Sequence, residues 1–130
     1  MKAKVRRITV ENQVFVWSYT DIYERAEDVF VSRLFFSPQN RKQIMIECYF
    51  KSIPHFMGCH LNLGFLAIKD GKEYEINCNQ PGFISEFLAF ILNNKVDFSR
   101  QERYRFDNAF EFLNEMGYHS FKSPSEFYPL

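Results

Sequence analysis

The feature that most constrains this chain is a change of period. From Val5 to Cys78 apolar side chains recur at every second residue in short runs, and after Pro81 they recur at every third and fourth. A strand sends successive side chains to opposite faces, whereas a helix returns to one face after three or four residues. Strands therefore come first and helices second. That order predicts an α+β domain: an antiparallel β-sheet of five to six strands over about 4–78, then two helices at about 81–93 and 107–116 packed on one face.

Turn residues punctuate the strand half. Val5–Val10 and Val14–Tyr19 flank Glu11-Asn12-Gln13, where Asn12 tolerates a left-handed backbone. Thr20 to Asp28 reads as a charged loop, and Ser37 to Lys42 joins Val29–Phe36 to Gln43–Phe50. In the latter run Ile44, Ile46, Cys48 and Phe50 share the face expected to meet the core, with Met45, Glu47 and Tyr49 on the other. Lys51 to Asn62 carries Pro54 and Gly58, has no period and reads as a loop. Leu63–Ile68 and Lys72–Cys78 flank Asp70-Gly71, a dipeptide suited to a two-residue hairpin.

In the helical half, Asn79 is placed to cap and Pro81 suits a first turn that needs no amide donor. Ile84, Phe87, Leu88 and Ile91 form the buried stripe. Phe83, Phe90 and Leu92 widen it until the helix needs cover on more than one side. The second helix starts at Asp107 or Asn108 and stops before Gly117. An earlier start at Ser99, with Glu102 completing a capping box, competes with it, but Tyr104 and Phe106 alternate with charges as a short extended piece would. From about residue 120 Pro124 and Pro129 predict a loosely held tail.

At 130 residues the chain has the size of one domain, 1–130. Its 16 basic side chains balance its 16 acidic ones, which counts against phosphate backbones or anionic lipid as bulk-charge partners. The basic start Met1 to Arg7 runs into Glu11, Asn12 and Gln13 rather than an apolar core, so it does not read as an export signal. No run suits a membrane-spanning helix, and Cys48, Cys59 and Cys78 match no disulfide framework. The expectation is a reduced, cytoplasmic protein.

The segments Val14-Phe15-Val16-Trp17-Ser18, Glu47-Cys48-Tyr49-Phe50-Lys51, Asn77 to Ile84 and Leu113-Asn114-Glu115-Met116-Gly117-Tyr118 occur in that order. In this the chain resembles a group of small bacterial proteins of unassigned function. That group shares a Val-Trp-Ser strand, an Asn-x-Asn-x-Pro helix entry and a C-terminal Met-Gly-Tyr. The likeness spans Ile8 to Tyr118. It implies one domain with strands before helices, and it implies no catalytic or ligand residue. Cys59-His60 and the proline-containing tail fall outside it.

Chemistry-bearing residues are sparse. Cys48, His55, Cys59, His60, Cys78 and His119 do not supply two separate ligand pairs at the two-to-four-residue spacing by which one loop delivers two zinc ligands, so buried thiols and surface histidines account for them and no metal is called for. Cys59 with His55 or His60 could pair a thiolate with a base, but no third orienting residue or oxyanion turn accompanies them. Glu73 and Glu75 share a strand face and read as an exposed edge. The glycines are isolated, so no phosphate-cradling loop and no cofactor is expected. Arg6 and Arg7, and Arg100, Arg103 and Arg105 beside Tyr104 and Phe106, form two basic clusters of the kind that holds single-stranded nucleic acid, or else guards strand edges.

The remaining signal is aromatic: 16 Phe, 7 Tyr and 1 Trp. Strands apolar on both sides need shelter on both sides, and two helices cover only one. The expected function is a non-enzymatic protein-interaction domain, self-associating or partner-neutralising, with Trp17 and Tyr49 at the interface because each joins a flat apolar body to a polar tip. The alternatives are a nucleic-acid accessory protein using Arg6, Arg7, Arg100, Arg103 and Arg105, and a small thiol enzyme using Cys59.

Overall fold

A computed structural model describes residues 4–52 and 64–122. Eight strands and two helices follow in the order β1 (Arg6–Val10), β2 (Gln13–Glu24), β3 (Val29–Pro38), β4 (Met45–Ser52), β5 (Phe65–Lys69), β6 (Lys72–Ile76), α1 (Pro81–Asn94), β7 (Arg103–Phe106), α2 (Phe110–Glu115) and β8 (His119–Lys122). The class is α+β, and the strands divide into two sheets: β1-β2-β3-β4-β7, and β6-β5-β8.

Tight turns set the registers of the β1–β2 and β5–β6 hairpins. Glu11 and Asn12 both take positive φ, 53° and 62°, between the paired Val10 and Gln13. Asp70 and Gly71 do the same, at 52° and 74°, between Lys69 and Lys72. Two positive φ values in a two-residue loop match the right-handed twist of the arms they join.

The hairpin β2–β3 runs further than a charged loop over Thr20 to Asp28 would allow. Period-2 alternation continues through Thr20, Asp21, Ile22 and Tyr23, pairing them with Arg33, Ser32, Val31 and Phe30. At its tip the Tyr23 ring lies 5.5 Å from Phe30, and its hydroxyl donates to Asp28 at 2.6 Å. Beyond α1, Ser99 starts no helix; its amide and hydroxyl both donate to Asp97 Oδ1. The chain then adds β7 parallel to β4, with Met45 opposite Arg103 and Cys48 opposite Phe106. A parallel neighbour needs a long crossover, and the β5–β6 hairpin with α1 supplies it. Tyr118 leads into β8, which pairs with β5, so the start of the expected loose tail is strand; residues 123–130 lie outside the described residues.

One hydrophobic cluster joins all these parts. Phe15 and Trp17 of β2, Leu34 and Phe36 of β3, and Ile46, Cys48 and Phe50 of β4 point to the same side of the larger sheet. There they meet α1 through Phe83, Ile84, Phe87, Leu88 and Ile91, and the smaller sheet through Phe65, Ala67 and Ile76. The aromatic surplus is spent mainly here, in a chain of ring contacts: Phe83 with Phe87, Phe87 with Phe50 and Phe112, and Phe112 with Phe106 at 5.0 Å. The wide apolar circumference of α1 thus finds its cover between two sheets.

Candidate functional site: the open face of the larger sheet

Because both helices and the smaller sheet join the cluster on one side of β1-β2-β3-β4-β7, no described element covers the other side. Register fixes what that side displays. One row across the strands is Ser18, Phe35, Glu47 and Arg105, and the next is Thr20, Arg33 and Tyr49. A third is Ile22, Val31 and Lys51. Arg7, opposite Val16, and Arg103, opposite Met45, bring cations to the two outer strands. Among these, Ile22 is 66% exposed, Val14 on the same face of β2 is 36% exposed, and Val16, Val31, Phe35 and Tyr49 are half-buried.

Glu47 is the centre of this surface. Its carboxylate accepts from Arg33 Nε at 2.9 Å and from the Tyr49 hydroxyl at 2.8 Å. Partial burial opposes its ionisation, but those two hydrogen bonds and the charges of Arg33 and Arg105 outweigh the burial and hold the carboxyl below its ordinary range. Two guanidinium groups lie over the two rings: Arg33 is 5.0 Å from the centroid of Phe35, and Arg105 is 4.4 Å from that of Tyr49. Arg105 is also fixed by Asp107 at 2.8 Å. Arg7, Lys42 and Arg103, by contrast, have no ion-pair partner among the described residues.

Two shallow cavities open on this face. The larger, about 530 Å³, has Val31 and Tyr49 as its apolar wall and Lys51 and Arg105 at its rim, with Asp107 and Asn108 closing it. The smaller, about 350 Å³, is walled by Val16, Phe35 and Met45 and rimmed by Arg7 and Lys42. Each sets an apolar bed beside two cations; in the larger these are paired, Lys51 with Glu27 and Arg105 with Asp107, and in the smaller Arg7 and Lys42 have no ion-pair partner among the described residues.

The residues expected at an interface separate. Tyr49 sits at the centre of the open face, but Trp17 is 1% exposed on the opposite one, under Arg6 at 5.1 Å, and is a core residue. Its place follows from pairing with Phe36, which puts it on the side that α1 covers. The basic residues separate too. Arg7, Arg103 and Arg105 reach the open face, whereas Arg6 turns inward and donates to the Asn79 carbonyl at 2.8 Å. Arg100 lies ahead of β7, in the turn after Asp97, beside Asn94 and Tyr104. Arg33, Lys42, Lys51 and Glu47 complete the surface without having been singled out as a group. Part of their signal was present in the alternation, since Arg33 on β3 and Glu47 and Lys51 on β4 fall on the positions opposite the core-facing set.

The thiol chemistry has little to work with among the described residues. Cys48 is buried, and desolvation pushes its thiol up, with the Glu47 charge adding to the shift; Cys78 is buried as well. A thiol held protonated is inert as a nucleophile or ligand. His119 is exposed on β8 with Ser120 as its neighbour, and no group of three or more His, Cys, Asp or Glu side chains gathers among the described residues. His55, Cys59 and His60 lie outside the described residues. No helix among the described residues is long and apolar enough to cross a membrane.

Comparison with protein-family models, with curated proteins and with solved structures finds no match to this chain.

Proposed function

We propose that this protein is a non-enzymatic protein-interaction domain that works through the open face of its five-stranded sheet. The observation that supports the reading is the composition of that face. Apolar side chains stand uncovered between cations that ion pairs and ring contacts hold in place. Apolar surface in water is unfavourable unless it is covered in use, and arginines already fixed by Glu47 and Asp107 lose little freedom when a partner arrives. Such a surface is prepared for contact. Its central carboxylate, Glu47, is held by Arg33 and Tyr49.

Site-specific photocrosslinking in the protein's native extract tests this. A photoreactive residue replacing Val31 or Phe35 should give a discrete higher-mass adduct, whereas the same residue replacing the exposed Asn94 on α1 should not. Equal adducts from both places, or none from the sheet face, would refute the reading.

A further inference from the structure

Resting on that reading, we infer that the open face takes an acidic segment of a different protein, one that seats two apolar side chains in the two cavities with carboxylates against their rims. The charge distribution carries this. The chain is balanced overall, yet Arg7, Arg33, Lys42, Lys51, Arg103 and Arg105 gather on this one face. Against them stand Glu47 and Asp107, both already paired with arginine, Glu27, paired with Lys51 at 3.2 Å, and Glu24 at the far hairpin tip. The surplus is held by Arg7, Lys42 and Arg103, which have no ion-pair partner among the described residues. A second copy docking the same face would bring these cations opposite one another, since a two-fold interface pairs a patch with itself. The occupant is therefore a different molecule, and an acidic one.

The apolar part of the surface selects among anions. Sheet faces that hold single-stranded nucleic acid present bare aromatic rings for bases to stack on. Here the two rings, Phe35 and Tyr49, are each covered by a guanidinium, and the freest apolar side chains are aliphatic: Ile22 at 66% and Val14 at 36% exposed. Within the cavities, Val31, Val16 and Met45 are the apolar walls that remain beside the arginine-covered rings of Tyr49 and Phe35, and such walls beside cations match a protein segment that alternates apolar and acidic residues.

Geometry sets the spacing. Val31 belongs to one cavity and Phe35 to the other, four residues apart on β3, and at about 3.3 Å per residue their separation is about 13 Å. Five strands spaced about 4.8 Å apart, over about eight residues of length, offer on the order of 600 Å², somewhat less than the ~800 Å² per partner of a standard interface. That area suits a segment or a small domain.

The test is binding of labelled nine-residue peptides to the whole chain by fluorescence anisotropy. The probe is Glu-Ser-Leu-Ser-Glu-Ser-Leu-Ser-Glu, whose leucines, when extended, lie about 13 Å apart on one side. The controls are the same peptide with lysine for glutamate, and a nine-nucleotide oligothymidylate. The acidic peptide should bind, weaken severalfold between 50 and 300 mM salt, and lose at least about tenfold in the double variant Arg7→Glu, Lys42→Glu, with circular dichroism confirming that variant's fold. Tighter binding of the oligonucleotide would assign the face to nucleic acid and overturn the inference. So would equal binding of the lysine peptide, an unchanged affinity in the double variant, or no binding at millimolar peptide. If photocrosslinks still form at Val31 while the acidic peptide fails, the contact reading survives and the acidic partner does not; if both fail, both readings fall.

Discussion

Trp17 and Tyr49 stand on opposite faces of one sheet, so truncating each measures whether its face is covered. Trp17 is 1% exposed. At about 250 Å² for a fully buried indole and about 25 cal/mol per Å², the transfer contribution has an upper bound of about 6 kcal/mol. Partial collapse of the site brings the expected cost of Trp17→Ala to about 3–5 kcal/mol. Tyr49 is half-buried at the surface, and its removal leaves no enclosed hole. It forfeits the hydrogen bond to Glu47, about 1 kcal/mol, and the contact with Arg105, about 0.5–1 kcal/mol at an exposed site. Tyr49→Ala should therefore cost about 1–2 kcal/mol. Urea unfolding followed by far-ultraviolet circular dichroism suits the comparison, because Trp17→Ala removes the only tryptophan. With a slope of about 2 kcal/mol per M, the Trp17 variant should lose about 2 M in midpoint and the Tyr49 variant less than 1 M. Equal losses would mean that Tyr49 is enclosed as deeply as Trp17 and that the open face is covered. A loss below about 1 kcal/mol for Trp17→Ala would mean that the face assignment is reversed.

Phe87→Ala should cost about 3–5 kcal/mol by the same unfolding measurement, since its ring is fully buried between Phe50, Phe83 and Phe112; a cost below about 1 kcal/mol would place α1 off the sheet. Glu47 has a lowered pKa in the fold, so its contribution is fully present above the unfolded value of about 4.3 and is lost as pH falls through the folded value. Glu47→Gln should accordingly be less stable than the parent at pH 7 and converge with it in acid; a constant difference across that range would argue against an ionised, arginine-bound Glu47. In a Cys59→Ser variant, Cys48 and Cys78 should resist an aromatic disulfide reagent until the protein is unfolded, and prompt reaction in native buffer would contradict their burial.

What the sequence made legible was local. Asp70-Gly71 and Glu11-Asn12 turn where their residue types demand it, and the stripe Ile84, Phe87, Leu88, Ile91 is buried as its spacing requires. What it hid depends on partners distant along the chain. The division into two sheets, the parallel addition of β7 to β4 and the pairing of β8 with β5 are settled by packing, because four-residue strands such as Arg103–Phe106 carry too little pattern to name a neighbour. Asp21 and Glu24 disguised the outer half of β2 as a loop. The candidate site was half visible. Alternation set Tyr49 with Glu47 opposite the core-facing residues of its strand, but for β2, where Phe15 and Trp17 oppose Val14 and Val16, only the register of Trp17 against Phe36 decides which set faces the helix.

The most direct test of the account is a methyl NMR spectrum of the whole chain recorded with and without the acidic leucine peptide. The account predicts that the methyl signals of Val16, Val31 and Met45, which wall the two cavities, move together on titration while those of Ile46, Ile84 and Leu88 in the core stay in place. Shifts centred on the core methyls or on α1, or a spectrum unchanged at saturating peptide, would contradict the claim that the open face of the larger sheet is the working surface of this protein.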